Sequence, residues 1–336
     1  MTATALALMT LNTGRLTLPA ASTGIGKWCL SVVRQWSKQR KQWGAAIGEH
    51  ESIALKLGYM ASHTFAMDAI TWLTSAMADD KKRDIRLEAA IAKYFCTEHS
   101  WRIADETLQI RGGQGYEQAD SLRARGMIPW PVERVLRDVR INMIIEGTSE
   151  IMHLFIAREA IDPHLNRAKP LLSGRTSIGE KLKTVASLLR FYAVWYPKLW
   201  LPSLPMSRTQ GLPPVLKGHV AYVQKASKRL ARHTLHTMAK YQQKLESKQS
   251  ILNRIVDIGT DLLVMAVTCS YAEYLSHQNE TKANSVDLAD AFCRDARKRI
   301  EQKFNDSHCN HDRQHLNVAK KLLADNYAWL ENDIIK

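Results

Sequence analysis

Apolar residues recur at steps of three and four along most of the chain, which is the spacing of one face of an α-helix. Trp28, Val32 and Trp36 form such a stripe, and Arg40 follows on the same side. The stretch from Glu51 to Ala78 is almost wholly small or apolar, as a central bundle helix would be. No stretch shows the regular alternation that is typical of a strand. We therefore predict an all-α fold.

A second set of helices is predicted in the last third of the chain. Apolar residues over 220–245 and 251–272 keep the spacing that antiparallel bundle packing uses, which predicts two long helices. Two shorter helices are predicted over 286–304 and 312–330. Seven of the ten prolines lie in the segment 163–214, which indicates a boundary.

These patterns divide the chain into three predicted parts. Residues 1–164 form a helical bundle, residues 165–216 a proline-rich linker, and residues 217–336 a helical extension. With 336 residues, 45% of them hydrophobic, the chain is long enough to bury sizeable cores.

Positive charge is concentrated after Asp162. Up to that residue the chain has 20 basic and 18 acidic residues, whereas the remainder has 27 and 15, a surplus of 12. The surplus predicts a separate partner surface on the extension. Lys225, Arg229, Arg232 and Lys240 fall on one helix face and suit anionic lipid or simple solvation. Because no aromatic stacking platform or known DNA-binding motif accompanies them, we do not expect a nucleic-acid partner.

The cysteines and the start of the chain favour the cytoplasm. Five widely spaced cysteines form no Cys-x-x-Cys pair, which fits a reducing compartment and predicts no metal or redox centre. The stretch 1–9 lacks the basic start of a secretory signal. A histidine-rich cluster over 308–315 lacks the usual spacing of zinc ligands, so we interpret it as a solvated loop.

The first candidate for chemistry is the glutamate of Glu146-Gly147-Thr148-Ser149-Glu150, which ends the apolar run 141–145. Burial among Ile144, Ile145, Ile151 and Met152 is expected to raise the pKa of this carboxyl toward neutrality, as proton abstraction next to a carbonyl requires. The alternative is purely structural. Thr148 or Ser149 caps a helix, and the acidic residues favour its dipole.

Two further stretches accompany this motif. One is Gln109-Ile110-Arg111-Gly112-Gly113-Gln114-Gly115-Tyr116, and the other is Arg40-Lys41-Gln42-Trp43-Gly44. Taken singly, the glycine pair is also a common helix C-cap and the arginine a common solvated residue. In this order, and with Glu-Arg-x-x-Arg-Asp over 133–138, they resemble the C-terminal helical domain of the acyl-CoA dehydrogenase family. The resemblance covers about residues 8–164.

The resemblance implies roles for individual residues. Glu146 would be the base for the α-proton, its backbone N–H would bind the thioester oxygen, and Gly147 would allow the substrate to approach closely. Arg40 would reach the pyrophosphate of FAD bound to the neighbouring subunit. The other residues implied to bind FAD are Gln109, Ile110, Arg111, Gly112 and Gly113 on the adenosine side and Thr148, Ser149 and Glu150 on the flavin side. Asn12 and Arg15 occupy the positions of an Asp-x-x-Arg pattern that contacts acyl-CoA, with asparagine in place of aspartate.

After residue 164 the chain resembles, more weakly, the helical extension of very-long-chain acyl-CoA dehydrogenases, which implies dimer contacts and membrane association. The aromatic and aliphatic residues of 177–206 lie beside lysines and predict an interfacial helix, with ordinary packing onto the bundle as the alternative. The family's N-terminal and middle domains have no counterpart here. We therefore expect a fragment, or a chain whose homodimer or partner chain supplies them.

We predict flavin-dependent α,β-dehydrogenation of acyl-CoA thioesters, with an electron-accepting flavoprotein as a further partner. The rival prediction is a catalytically silent module for oligomerisation or membrane docking.

Overall fold

The computed structural model describes residues 3–80, 84–172, 177–202, 211–278 and 284–332. The side chains of residues 3–13 are outside the described set, so the predicted role of the Asn12 side chain lies outside it too.

The first half of the chain forms three long helices and a series of shorter ones, so the all-α prediction is confirmed. The long helices are α1 (Ala3–Gln39), α2 (Glu51–Asp79) and α3 (Arg86–Arg111). The shorter ones are α4 (Gly113–Tyr116), α5 (Ala119–Ala124) and α6 (Val132–Arg140), and they are followed by α7 (Ser149–Leu172).

One feature of this half was not predicted. Between α1 and α2 the chain makes an antiparallel hairpin of β1 (Lys41–Gln42) and β2 (Ala45–Ala46), followed by a 3-10 turn over Ile47–Glu49. The turn residues Trp43 and Gly44 have φ of 49° and 82°. Two consecutive left-handed residues are typical of a tight two-residue hairpin turn, although asparagine and glycine are the usual pair.

The second half adds α8 (Ile178–Lys198), α9 (Pro214–Tyr241), α10 (Gln249–Gln278), α11 (Ser285–Asp306) and α12 (Asp312–Leu322). Helix α7 continues through Pro163 and Pro170 into the segment where proline clustering had indicated a linker. The helix predicted over 312–330 ends earlier, at Leu322, because the chain turns through a left-handed residue at Asp325.

The two halves share one hydrophobic core. Helices α10 and α11 pack against α2, and α10 also packs against α7 and α9. Phe95 of α3 meets Phe292 of α11 edge to face, with ring centroids 5.8 Å apart. Arg299 of α11 makes a two-hydrogen-bond ion pair with the buried Asp261 of α10, at 2.7 and 3.0 Å. The extension is therefore fixed against the bundle by both apolar and ionic contacts.

Helix α10 is, among the described helices, the one long and apolar enough to cross a bilayer. Most of the apolar stretch of this helix is buried inside the protein. Such burial is what a central core helix requires.

Candidate active site

Glu146 lies in an unusual backbone conformation at the predicted site. The chain leaves a short 3-10 turn over Ile141–Met143 and passes through Glu146 at φ 58° and Gly147 at φ 103° before α7 begins. A non-glycine residue in the left-handed region costs on the order of 1–3 kcal/mol, and such residues cluster at functional sites. The φ of Gly147 strains any larger residue, and a Cβ there would lie 2.9 Å from Cε of Met152, so the end of the Met152 side chain would have to move as well.

The Glu146 side chain packs against α1. A Cβ on Gly14 would lie 2.6 Å from both Cδ and Oε1 of Glu146, so the glycine leaves the space that the carboxylate fills. The second oxygen, Oε2, is buried and has no hydrogen-bond partner among the described residues. A buried carboxylate oxygen without a hydrogen-bond partner is costly in a hydrophobic core, but it is expected in a site that a ligand completes.

The residues expected to bury Glu146 are mostly not the ones that do. Ile144, Ile145 and Ile151 are 47%, 41% and 53% exposed, and of the four predicted neighbours only Met152 is buried. The expected shielding by the isoleucines is therefore wrong, because all three side chains lie at the surface. Helix α1 shields the carboxylate instead.

Arg15 is the cation nearest this turn on α1. It is 8% exposed, and its guanidinium carbon lies 4.3 Å from the ring centroid of Phe155. Burial lowers the pKa of Arg15, against the opposing charges of Glu146 and Glu159. Its Nε has no hydrogen-bond partner among the described residues. The structure thus brings Arg15 and Glu146 together, and the predicted contact of Arg15 with acyl-CoA stays a prediction.

Lys93 is a member of the site that sequence analysis missed. Its side chain is fully buried in α3, and Nζ donates to the carbonyl oxygen of Gly147 at 2.7 Å. Burial lowers the pKa of this amine to about 8, although the charge of Glu98 opposes the shift. Its position on the inward stripe of α3, in helical step with Ala89 and Cys96, was the available signal.

The predicted flavin-side residues begin α7. Thr148 Oγ1 accepts from the backbone N–H of Ile151 at 3.4 Å, so the capping interpretation of this motif also holds. Ser149 Oγ donates to the Glu98 carboxylate, and Glu150 is exposed. Capping by Thr148 therefore does not exclude the predicted role of Glu146.

A groove of about 640 Å³ lies elsewhere on the bundle, beside the hairpin. It is lined by most of the residues predicted to hold the adenosine and pyrophosphate of FAD, namely Arg40, Ile110, Arg111, Gly112 and Gly113. Gln109, predicted with them, is exposed and is not among the lining residues. Trp43, at the tip of the hairpin, is 91% exposed and also lines the groove.

Arg111 is the most constrained cation of the groove. It is 3% exposed and lies between the rings of Trp36 and Trp130, at 4.8 and 4.7 Å from their centroids. Burial lowers its pKa. Nε and Nη1 have no hydrogen-bond partner among the described residues, and Nη2 has only a 3.5 Å contact with the carbonyl of Gln114. Such a guanidinium suits an anion that enters the groove.

The predicted residues thus fall into two places. The groove holds Arg40, Arg111 and the glycine pair, whereas the turn holds Glu146, Gly147 and the start of α7 next to Arg15. No residue of the turn lines the groove.

Comparison with known proteins gives matches to two family models. Residues 4–161 match the family model described as acyl-CoA dehydrogenase, C-terminal domain, and residues 214–327 match that described as ACAD9/ACADV, C-terminal domain. A Mycobacterium tuberculosis protein named probable acyl-CoA dehydrogenase FadE10 is 43% identical over 331 residues, which is 98% of this chain and 51% of that protein. The mouse very long-chain specific acyl-CoA dehydrogenase, mitochondrial, is 28% identical over 327 residues, 96% of this chain and 47% of that protein.

Solved structures agree on the fold. An acyl-CoA dehydrogenase from Bacillus anthracis, complexed with FAD, superposes with a TM-score of 0.68 at 23% identity, covering 93% of this chain and 52% of its own. Caenorhabditis elegans ACDH-11, in complex with C11-CoA, gives 0.55 at 19% identity, covering 84% and 42%. The chain spans about half the length of the relatives that it matches.

Proposed function

The chain belongs to the acyl-CoA dehydrogenase family, and on this premise we propose that it carries the base and a cofactor groove for α,β-dehydrogenation of acyl-CoA thioesters. The observation that carries the proposal is Glu146. Its backbone is left-handed, and one carboxylate oxygen is buried without a hydrogen-bond partner among the described residues. Strain and an orphaned polar atom coincide at the one residue that the chemistry needs.

The chain's own residues would carry the proton step. Glu146 accepts the proton from Cα of the substrate, and the electron pair of that C–H bond becomes the new double bond to Cβ. Among the described residues the N–H of Glu146 donates to no backbone carbonyl, which leaves it available for the thioester oxygen. FAD, when bound, supplies the acceptor for the hydride that leaves Cβ.

The groove fits the anionic part of FAD. Arg111 brings two buried N–H groups without described partners, and Arg40 and Arg125 line the same groove. Gly112, at φ 62°, leaves the backbone open to a close ligand. We assign the ADP half of FAD to this groove and the flavin half to a turn at Thr148. Because no turn residue lines the groove, we propose that one FAD is shared between two copies, or with a partner chain.

Glu146→Gln tests the base. The amide keeps the size of the side chain but accepts no proton, so turnover of acyl-CoA in the assembled enzyme should fall by about 10² to 10⁴ while FAD stays bound. Glu246→Gln makes the same substitution at an exposed glutamate of the extension, so it is the control and should leave turnover unchanged. Unchanged turnover in Glu146→Gln would remove the base from the proposal.

Arg111→Gln tests ligand binding in the groove by a measurement that does not depend on turnover. ADP titrated calorimetrically into the purified chain should bind more weakly to this variant, whereas the exposed Arg134→Gln should bind as the wild type does. FAD itself should bind the isolated chain weakly, since only part of its contacts are present. Equal ADP affinity in all three proteins would place the ligand elsewhere.

We propose an electron-accepting flavoprotein as a further partner, because reduced FAD must be reoxidised before the next turnover. Location in the cytoplasm stays a prediction.

Peripheral membrane contact is a second proposal, favoured by one face of α8. Ile178, Leu182, Val185 and Leu189 follow helical spacing and are 80%, 66%, 40% and 67% exposed. The same helix packs on α7, where Tyr192 Oη is hydrogen-bonded to Nδ1 of His164 at 2.8 Å. An exposed apolar stripe with nearby lysines is what an interfacial helix presents to lipid.

A further inference from the structure

The first turn of α7 is tied to the extension through one histidine. Nδ1 of His153 lies 2.8 Å from the carbonyl oxygen of Ser149, at the start of the same helix. Nε2 lies 2.8 Å from Oδ1 of Asp257 in α10. His153 is 8% exposed, so both contacts are shielded from water.

Both partners of this imidazole are hydrogen-bond acceptors. A neutral imidazole has one N–H and can donate to only one of them, whereas an imidazolium donates to both. Asp257 has no proton to give, because its oxygens also accept from Tyr94 Oη at 2.9 Å and from Lys303 Nζ at 2.7 Å. The geometry is therefore satisfied by a charged His153 and an ionised Asp257.

The surrounding charges agree with this assignment. Burial opposes the charge on His153, but the hydrogen bond and the negative charge of Asp257 outweigh it and raise the pKa of the imidazole. Burial likewise opposes the charge on Asp257, but His153 and Lys303 outweigh it and lower the pKa of the carboxyl. Glu98 of α3 adds a favourable charge, and Glu150 interacts with His153 from α7 itself.

Two carbonyls of the turn are thus held by buried cations. Lys93 binds the oxygen of Gly147, and His153 binds the oxygen of Ser149. His153 lies near the N-terminus of α7, where a cation opposes the helix dipole, so its charge needs a compensating anion. Asp257 of the extension is the anion in direct contact.

We propose that Asp257 is a positioning residue for the turn that presents Glu146, because its carboxylate keeps His153 in the imidazolium form that binds Ser149. The assignment of Glu146 rests on the proposed function. The binding of the Ser149 carbonyl by His153 does not rest on the proposed function, and it is measured without substrate or FAD. The extension would then act on the site itself as well as on any outside partner.

The chain offers a matched pair of variants. Asp257→Asn removes the negative charge and keeps the size of the side chain. Asp290→Asn is the control, since Asp290 of α11 contacts Nε2 of His219 at the same 2.8 Å, but Nδ1 of His219 has no hydrogen-bond partner among the described residues. The control therefore breaks an aspartate–histidine pair that holds no carbonyl of the turn.

Two measurements on the full chain test the proposal. Nitrogen-15 spectra of labelled histidine should show both ring nitrogens of His153 protonated at pH 7 in the wild type, and only one in Asp257→Asn. Hydrogen exchange of the amides over 147–153 should be faster by about tenfold in Asp257→Asn, as expected for loss of a hydrogen bond to a charged group. Asp290→Asn should leave both measurements at wild-type values.

A second variant separates positioning from general loss of stability. His153→Phe keeps a buried ring but loses both hydrogen bonds, so its turn should exchange faster, and adding Asp257→Asn should have little further effect on those amides. Raising the pH through the titration of His153 should release the wild-type turn but not the Asp257→Asn turn. A neutral His153 in the wild type, or equal exchange in Asp257→Asn and Asp290→Asn, would overturn the proposal. Turnover of Glu146→Gln does not enter either measurement.

Discussion

The amine of Lys93 provides a test of the site on the isolated chain. Its Nζ is fully buried and donates to one carbonyl, that of Gly147, at 2.7 Å. Lys93→Met removes the charge and the hydrogen bond while keeping an unbranched side chain of similar length. Any pH dependence that this variant lacks belongs to Lys93.

The magnitude follows from the lowered pKa. The fall in the pKa of Lys93 from its ordinary value of 10.5 to about 8 corresponds to a free-energy cost of about 3 kcal/mol for the charged amine in the folded state. At pH 7 the amine is charged in both the folded and the unfolded state, so the folded state carries the whole of this free-energy cost. From pH 8 to 10.5 the unfolded chain holds a proton that the folded chain has released, so wild-type stability rises with pH. The hydrogen bond, worth about 1.5–3 kcal/mol when charged, partly offsets the penalty at pH 7.

Free energies of unfolding from urea titrations at pH 7, 8.5 and 10 measure the effect. Near pH 7 wild type and Lys93→Met should differ little, because penalty and hydrogen bond oppose each other. By pH 10 the wild type should gain up to about 3 kcal/mol relative to the variant. Lys38→Met, at an exposed lysine of α1, should show a difference that does not change with pH. An equally flat difference for Lys93→Met would refute the buried, desolvated amine.

Two further predictions address the carboxylate and the membrane. Gly14→Ala places a Cβ 2.6 Å from Cδ and Oε1 of Glu146, and the displaced carboxylate should lower turnover of the assembled enzyme by about 10²-fold. Gly24→Ala, in the same helix with nothing within 4 Å of the new Cβ, should keep turnover and gain about 0.5–1 kcal/mol of stability; equal turnover in both variants would show that the carboxylate tolerates the shift. Replacing Leu182 and Leu189 of α8 by serine should abolish cosedimentation with anionic vesicles at low salt, and added salt should weaken wild-type binding. If the serine variant binds as the wild type does, another surface makes the contact, and if wild type is dimeric and the variant monomeric, a second copy covers this face.

Long helices were predictable from the sequence because burial imposes one period over many residues. The stripe through Trp28 and Trp36 and the apolar stretch from Glu51 belong to α1 and α2, as expected. The hairpin was not predicted because each strand has only two residues, too few to show alternation. Its turn also uses Trp43 at a left-handed position that asparagine or aspartate normally occupies.

The site was predictable only where its residues are neighbours in sequence. Glu146, Gly147 and Thr148 form one motif, but the groups that fix them, Gly14 and Lys93, come from other helices. Periodicity indicates that Lys93 faces inward and cannot indicate which carbonyl it meets. The isoleucines were misplaced for the same reason, since nearness to Glu146 in sequence does not show which side chains face its carboxylate.

The charge surplus of the extension can be interpreted only once the contacts of its individual cations are known. Two of the four cations predicted to form a basic stripe on α9 make contacts with other residues of the chain. Arg229 pairs with Glu301 at 2.7 Å, and Arg232 stacks on Trp200 at 4.2 Å while donating to the carbonyl of Leu199. Cations committed to such contacts bind lipid headgroups less readily, because the existing interactions must first be lost. Membrane contact is therefore better sought on the exposed apolar face of α8 than on α9, and the vesicle experiment with Leu182 and Leu189 tests that choice directly.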